Sequence, residues 1–181
     1  FGPQHIPIAT LDGARERTVT ISSGGKTFNT TGWKVGWLTA PAELVTAVLA
    51  VKQFLTYVNG APFQPAIAAG LALPDEFFTE IAAALAHKRD LLSAGLRAAG
   101  FEVHPSDGTY FVVADAAPLG HPDAVEFCRR LPELAGVVAV PLAAFSRDDY
   151  AARTASLVRF AFCKRVEVLE EAARRLAVLR S

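Results

Sequence analysis

Apolar residues recur along the chain at two periods, and the switches between them mark the elements. Phe1 to Thr18 has neither period and reads as an irregular entry punctuated by Gly2, Pro3, Pro7 and Gly13. Thr18-Val19-Thr20-Ile21 alternates polar and apolar, as a strand does. Val35 to Thr39 is a short apolar run, the pattern of a strand buried on both faces. Pro41 suits the first turn of a helix, with Glu43 at its positive end. Leu44, Val45, Val48, Leu49, Lys52 and Leu55 then recur at three- and four-residue steps, which predicts a helix to Tyr57. Asn59-Gly60-Ala61-Pro62 breaks it, and an Ala-rich helix follows over 66–73. After Pro74 and Asp75 a single stripe of Phe78, Ile81, Leu85, Leu92, Leu96 and Ala99 runs to a stop at Gly100.

The remainder alternates strands and helices. Strands are expected at 101–104, 108–115, 137–142 and 157–162, and helices from Pro122 through Leu131 and over 166–179. Ser146 to Ala155 is polar and is expected to be a loop. The fold class is therefore α/β. A helix as long as the one after Pro74 suits a connector, so two domains are expected, 1–74 and 75–181.

Composition narrows the classes. The 181 residues are 51% hydrophobic and 20% charged, enough for a real core. The formal net charge is zero, which recommends neither nucleic acid nor an anionic membrane as partner. No apolar run approaches the roughly 18 residues of a membrane span. Cys128 and Cys163 lie in apolar contexts and are expected to be buried, reduced thiols of a cytoplasmic protein. His5, His87, His104 and His121 lack ligand spacing, so no metal site is expected. The chain starts at Phe1 and contains no methionine, so it is expected to be the C-terminal part of a longer polypeptide.

The chemistry concentrates between the first two strands. Ser22-Ser23-Gly24-Gly25 leads into Lys26, and Lys34 adds a second cation. Glycines remove side-chain bulk, so backbone N–H groups can approach a ligand closely. Hydroxyls and charge around one amine suit a phosphorylated aldehyde, the amine taking the carbonyl and the other groups the phosphate. A phosphate-binding P-loop would need glycine where Thr20 stands and a helix where Thr30-Thr31-Gly32 stands. A solvated lysine on a Gly-Gly turn is the other reading these residues allow alone. Later in the chain, Arg159 sits in Leu157-Val158-Arg159-Phe160-Ala161-Phe162 on the face opposite Val158, Phe160 and Phe162. Between small or aliphatic neighbours, it is either a snorkelling edge residue or an anion receptor.

Ser23, Lys26 and Lys34, with Thr31-Gly32-Trp33-Lys34-Val35-Gly36 around the last, resemble the lysine motif of class I/II pyridoxal-phosphate aminotransferases. The resemblance covers essentially the whole chain and is nearest to the bacterial N-succinyldiaminopimelate and the kynurenine aminotransferases. It implies the end of a fold-type I large domain followed by the small α/β domain. It implies pyridoxal 5'-phosphate as cofactor, Lys26 as the catalytic lysine that carries it, and Ser23 and Lys34 as cofactor-binding residues. Arg159 would grip the substrate α-carboxylate and Tyr110 would approach the substrate. Tyr57 would reach the cofactor site of a second subunit, which implies a homodimer. The substrates would be an amino acid and a 2-oxo acid such as 2-oxoglutarate. In the family the phosphate-binding glycine loop, a ring-stacking aromatic, an asparagine and an aspartate lie upstream of this stretch. A carbon–sulfur β-lyase shares the lysine and the arginine, and a non-catalytic fragment is the alternative from another class.

Overall fold

The computed structural model describes residues 1–180, which divide into two units: Gln4–Phe77, and Phe1–Pro3 together with everything from Phe78 on. In the first unit, β1 (Thr20–Ser23) and β2 (Gly36–Thr39) pair antiparallel, with Thr20 opposite Thr39 and Ser23 opposite Gly36. β1 starts two residues later than the alternation suggests. Thr18 closes the preceding 3-10 turn instead, its hydroxyl donating to the Ala14 carbonyl at 2.7 Å. Neither strand is buried on both faces, contrary to the reading of 35–39. They form a two-stranded ladder, and Ile21 is 78% exposed.

Between the strands, Gly24–Thr27 forms a helical turn, α1. Helices α2 (Ala42–Leu55) and α3 (Gln64–Leu71) follow. α3 braces α1. A Cβ on Gly24 would come within 2.6 Å of Ile67 Cδ1, and one on Gly70 within 3.0 Å of the Phe28 ring. Glycine at both positions is what lets the two elements close. Ile67 is one of three buried residues in this unit, with Ala14 and Gly24. Along α2, Phe54 and Leu55 remain 85% and 77% exposed.

The second unit begins with α4 (Asp75–Ala98), whose first turn holds the division between units. Gly100, at φ +102°, ends it in a conformation that glycine adopts without strain. The sheet runs β3 (Glu102–Val103), β4 (Phe111–Asp115), β6 (Leu157–Ala161), β5 (Val140–Pro141), antiparallel throughout. β5 is much shorter than the run 137–142 predicts. Pro141 has no N–H to continue a ladder, and 142–145 turns into a 3-10 helix. The stretch expected as a loop at 146–155 instead carries short helical turns, including α6 (Ala151–Thr154).

Alternation sorts the two central strands. Val112 and Ala114 on β4 and Val158 and Phe160 on β6 face a core closed by α4, α5 (Ala124–Ala135) and α7 (Val166–Leu176). Leu96, Phe127, Leu131 and Leu176 fill it, each 1% exposed or less, and each such side chain contributes roughly 1.5–3 kcal/mol of transfer free energy. Asp123 caps α5, its carboxylate accepting from the Val125 and Glu126 amides at 2.8 and 3.1 Å. Any Cβ at Gly95 would strike that of Ala173, so glycine sets the approach of α4 and α7. Burial pushes the Cys128 thiol up to about 11, whereas Cys163 is exposed and not buried as its apolar neighbours suggest. It follows Phe162 where the strand has already ended, and so faces out. Among the described residues no helix is long and apolar enough to cross a membrane.

Candidate active site

The chain leaves β1 at Ser23, passes through α1 and must return to β2. Asn29 and Lys34, at φ +53° and +55°, make the two reversals, with a 3-10 turn over Thr31–Trp33 between them. Backbone bonds fix the path: the Thr30 amide donates to the Gly25 carbonyl at 2.9 Å and the Trp33 amide to the Thr30 carbonyl at 2.9 Å. The Gly24 amide donates across the loop to the Val35 carbonyl at 3.1 Å. Gly25 is needed here, since a Cβ on it would stand 3.2 Å from Thr31 Cα. The doubling-back brings Ser23, Lys26 and Lys34 onto the wall of one open hollow of about 330 Å³, with Gly25, Thr31 and Gly36.

Lys34 is held from outside the loop. Its carbonyl accepts from Asn59 Nδ2 at 2.9 Å. Gly60, at φ +57°, lies so close that a Cβ on it would meet the Trp33 carbonyl oxygen and Val35 Cγ2 at 3.0 Å each. The Trp33 and Phe63 rings stack at 4.8 Å between centroids. In the sequence Asn59-Gly60 registers only as a helix breaker. Its second task, securing a loop 25 residues away, leaves no local signal. Within the same loop, Thr30 Oγ1 is buried and has no hydrogen-bond partner among the described residues. The donor set on the wall is two amines and two hydroxyls, those of Ser23 and Thr31, with no carboxylate among the lining residues. That set fits a small phosphorylated aldehyde.

Tyr57 follows α2 at φ +52°, 75% exposed, and is not among the residues lining this hollow. Lys52 Nζ donates to its carbonyl at 3.0 Å, closing the helix end. The neighbouring Phe54, Leu55 and Val58 are exposed with it.

Arg159 and Tyr110 belong to the second unit. On the solvent face of β6, Arg159 is opposite Val113 and Val140 in the ladder. Those aliphatic neighbours are the kind that strand alternation suggests, and two aromatic rings that it does not reveal reach the side chain as well. The guanidinium carbon lies 4.0 Å from the Phe111 ring centroid and 4.1 Å from that of Phe145. Phe111 is its diagonal partner, two residues along β4 from Val113, a position within reach of a long side chain. Phe145 arrives from the turn after β5. Arg159 Nε is buried and has no hydrogen-bond partner among the described residues. Tyr110 packs on Phe111, ring centroids 4.4 Å apart, and its carbonyl accepts from the Phe162 amide at 2.9 Å. Among the described residues no cluster of three or more His, Cys, Asp or Glu could hold a metal.

The sequence profile described as aminotransferase class I and II matches residues 1–176. The chain belongs to that family. Aminotransferases of classes I and II use pyridoxal 5'-phosphate. The solved N-succinyldiaminopimelate aminotransferase of Mycobacterium tuberculosis is similar at 53% identity and a TM-score of 0.91, over 97% of this chain and 45% of that one. The methionine aminotransferase of Escherichia coli K12 is 37% identical over 97% of this chain and 45% of its own length. The kynurenine–oxoglutarate transaminase of Dictyostelium discoideum is 34% identical over 94% of this chain and 43% of its own. The chain thus spans somewhat under half the length of the curated relatives it matches. Their fold-type I architecture is the fold it shares in part.

Proposed function

We propose that the polypeptide to which these residues belong transfers the amino group of an amino acid to a 2-oxo acid, with 2-oxoglutarate as acceptor. The observation that carries this reading is the meeting of Ser23, Lys26 and Lys34 on one hollow in a chain of this family. Similarity to an N-succinyldiaminopimelate aminotransferase makes a diaminopimelate-type donor the first to test. In this reading residues 1–74 are the end of the large domain and 75–181 the small domain.

Bound pyridoxal phosphate supplies an aldehyde that condenses with amines and a ring that accepts the electron pair of the substrate α-carbon. Lys26 Nζ would hold the group by its aldehyde, and its free amine would take up the proton of the donor's α-carbon. The Ser23 hydroxyl and Lys34 amine would hold the phosphate, and the stacked Trp33 and anchored Asn59 keep the Lys34 backbone in place. Arg159 pairs with the donor's α-carboxylate, orienting the α-hydrogen by a charge-assisted contact. The full-length protein should absorb in the near ultraviolet or visible when loaded, and should form glutamate from 2-oxoglutarate only with an amino donor present. Pyruvate and ammonia released from cystathionine without any oxo acid would mark a β-lyase instead.

We further propose that the complete enzyme is a cytoplasmic homodimer, with Tyr57 near the partner's cofactor phosphate or substrate. The exposed run Phe54, Leu55, Tyr57 and Val58 supports this, because contiguous apolar surface of this kind marks interaction sites. An active full-length protein that sediments as a monomer would overturn it.

A further inference from the structure

The Arg159 guanidinium lies over two rings at once, 4.0 Å from that of Phe111 within the sheet and 4.1 Å from that of Phe145 from outside it. The two rings differ in what they owe to the core. Phe111 is half-buried on β4, whereas Phe145 is 59% exposed at the end of the turn Leu142–Phe145. Within the described residues such a ring gains little from burial, so its place over the cation calls for another explanation. The turn that presents it is tied down. The Ser146 amide donates to the Ala143 carbonyl at 3.0 Å, and Thr154 Oγ1 donates to Ser146 Oγ at 3.0 Å.

We propose that Phe145 is a positioning residue for anion binding by Arg159. It clamps the guanidinium plane against Phe111, so that the cation meets a carboxylate only along its N–H edge. Cation–ring attraction is directional and grows as water is excluded, so the second ring fixes the plane as well as stabilising the charge. The unpartnered, buried Nε is the other half of the geometry. A buried guanidinium N–H with no acceptor is costly, and a carboxylate lying side-on to the fork supplies one. A lysine could not replace this arrangement, since its ammonium has no plane to clamp.

The inference rests on Arg159 being the carboxylate receptor, and its test separates the two. The probe is 2-oxoglutarate added to the pyridoxal form of the full-length enzyme, with which it can bind but cannot exchange an amino group. Its dissociation constant is measured by calorimetry for the parent, Phe145→Leu, Phe145→Tyr and Arg159→Ala. Phe145→Leu should weaken binding about three- to thirtyfold, the range a partly desolvated cation–ring contact supplies. Phe145→Tyr, which keeps the ring, should restore the parent value, and a merely space-filling role would not separate Tyr from Leu in that way. The Arg159 Nε–H resonance, shielded by two rings in the parent, should move downfield in Phe145→Leu alone. If Phe145→Leu binds as the parent does while Arg159→Ala binds poorly, Phe145 is not a positioning residue. If Arg159→Ala also binds as the parent does, the carboxylate reading itself fails, and this inference with it.

Discussion

Lys26→Ala in the full-length enzyme is expected to abolish nearly all turnover, a loss of roughly 10²–10⁴-fold or more, the share that a positioned proton-transfer group commonly supplies. Removing this amine takes away the cofactor's covalent attachment as well as the proton carrier, so the effect should lie at or beyond the upper end. Lys34 cannot substitute. It stands on the same wall, but its backbone is fixed at φ +55° with the carbonyl held by Asn59, and its side chain is already committed to the phosphate in this reading. Lys26→Arg should be as inactive, because it keeps the charge and loses the nucleophile. The fold should survive. Lys26 is exposed, and substitutions of exposed residues away from caps and strained positions usually change stability by no more than about 0.5 kcal/mol. Borohydride reduction of loaded enzyme followed by peptide mapping gives the independent check. Label found on Lys34 or Lys52, or an alanine variant that keeps a tenth of the parent kcat, would remove Lys26 from its role.

That the lysine loop could be read at all comes from its density. Ser23, Lys26 and Lys34 are close in sequence, and the loop that brings them together is closed mostly by its own backbone bonds. The helices were legible for a similar reason, since a periodic stripe such as Leu92, Leu96 and Ala99 is a local pattern that the core then uses. What depended on distant residues was not. Alternation put Arg159 on the correct face of its strand but could not tell what else stood there. Phe145 comes from a segment 14 positions earlier whose strand Pro141 cuts short, and nothing in Leu142-Ala143-Ala144-Phe145 points toward an arginine. The apparent two-sided burial of 35–39 failed for a related reason. Apolar residues there and along α2 have few partners within the described residues, and a pattern cannot distinguish a face met within the chain from one met elsewhere.

Arg159→Ala is expected to lower kcat/KM for carboxylate-bearing donors by about ten- to a hundredfold, the equivalent of roughly 1.5–3 kcal/mol for a lost charge-assisted hydrogen-bonded pair. The structure gives reasons for a loss toward the upper end. The guanidinium is flanked by the rings of Phe111 and Phe145 and its Nε is shielded from water, so the site is drier than an exposed ion pair and screening is weaker. Truncation to alanine would also leave a slot between two rings that water enters poorly, offering the carboxylate no replacement donor. Arg159→Lys should recover only part of the loss. The ammonium restores charge but cannot present two parallel donors or stack flat between rings. The discriminating comparison uses a donor and its α-carboxamide. The parent should favour the acid strongly, whereas Arg159→Ala should treat the two alike, with most of the change in KM for the acid and little in the slow turnover of the amide. A collapse of both substrates together would indicate a folding defect. An unchanged kcat/KM for every amino donor would show that the carboxylate is held elsewhere and that the aromatic clamp around Arg159 serves the sheet alone.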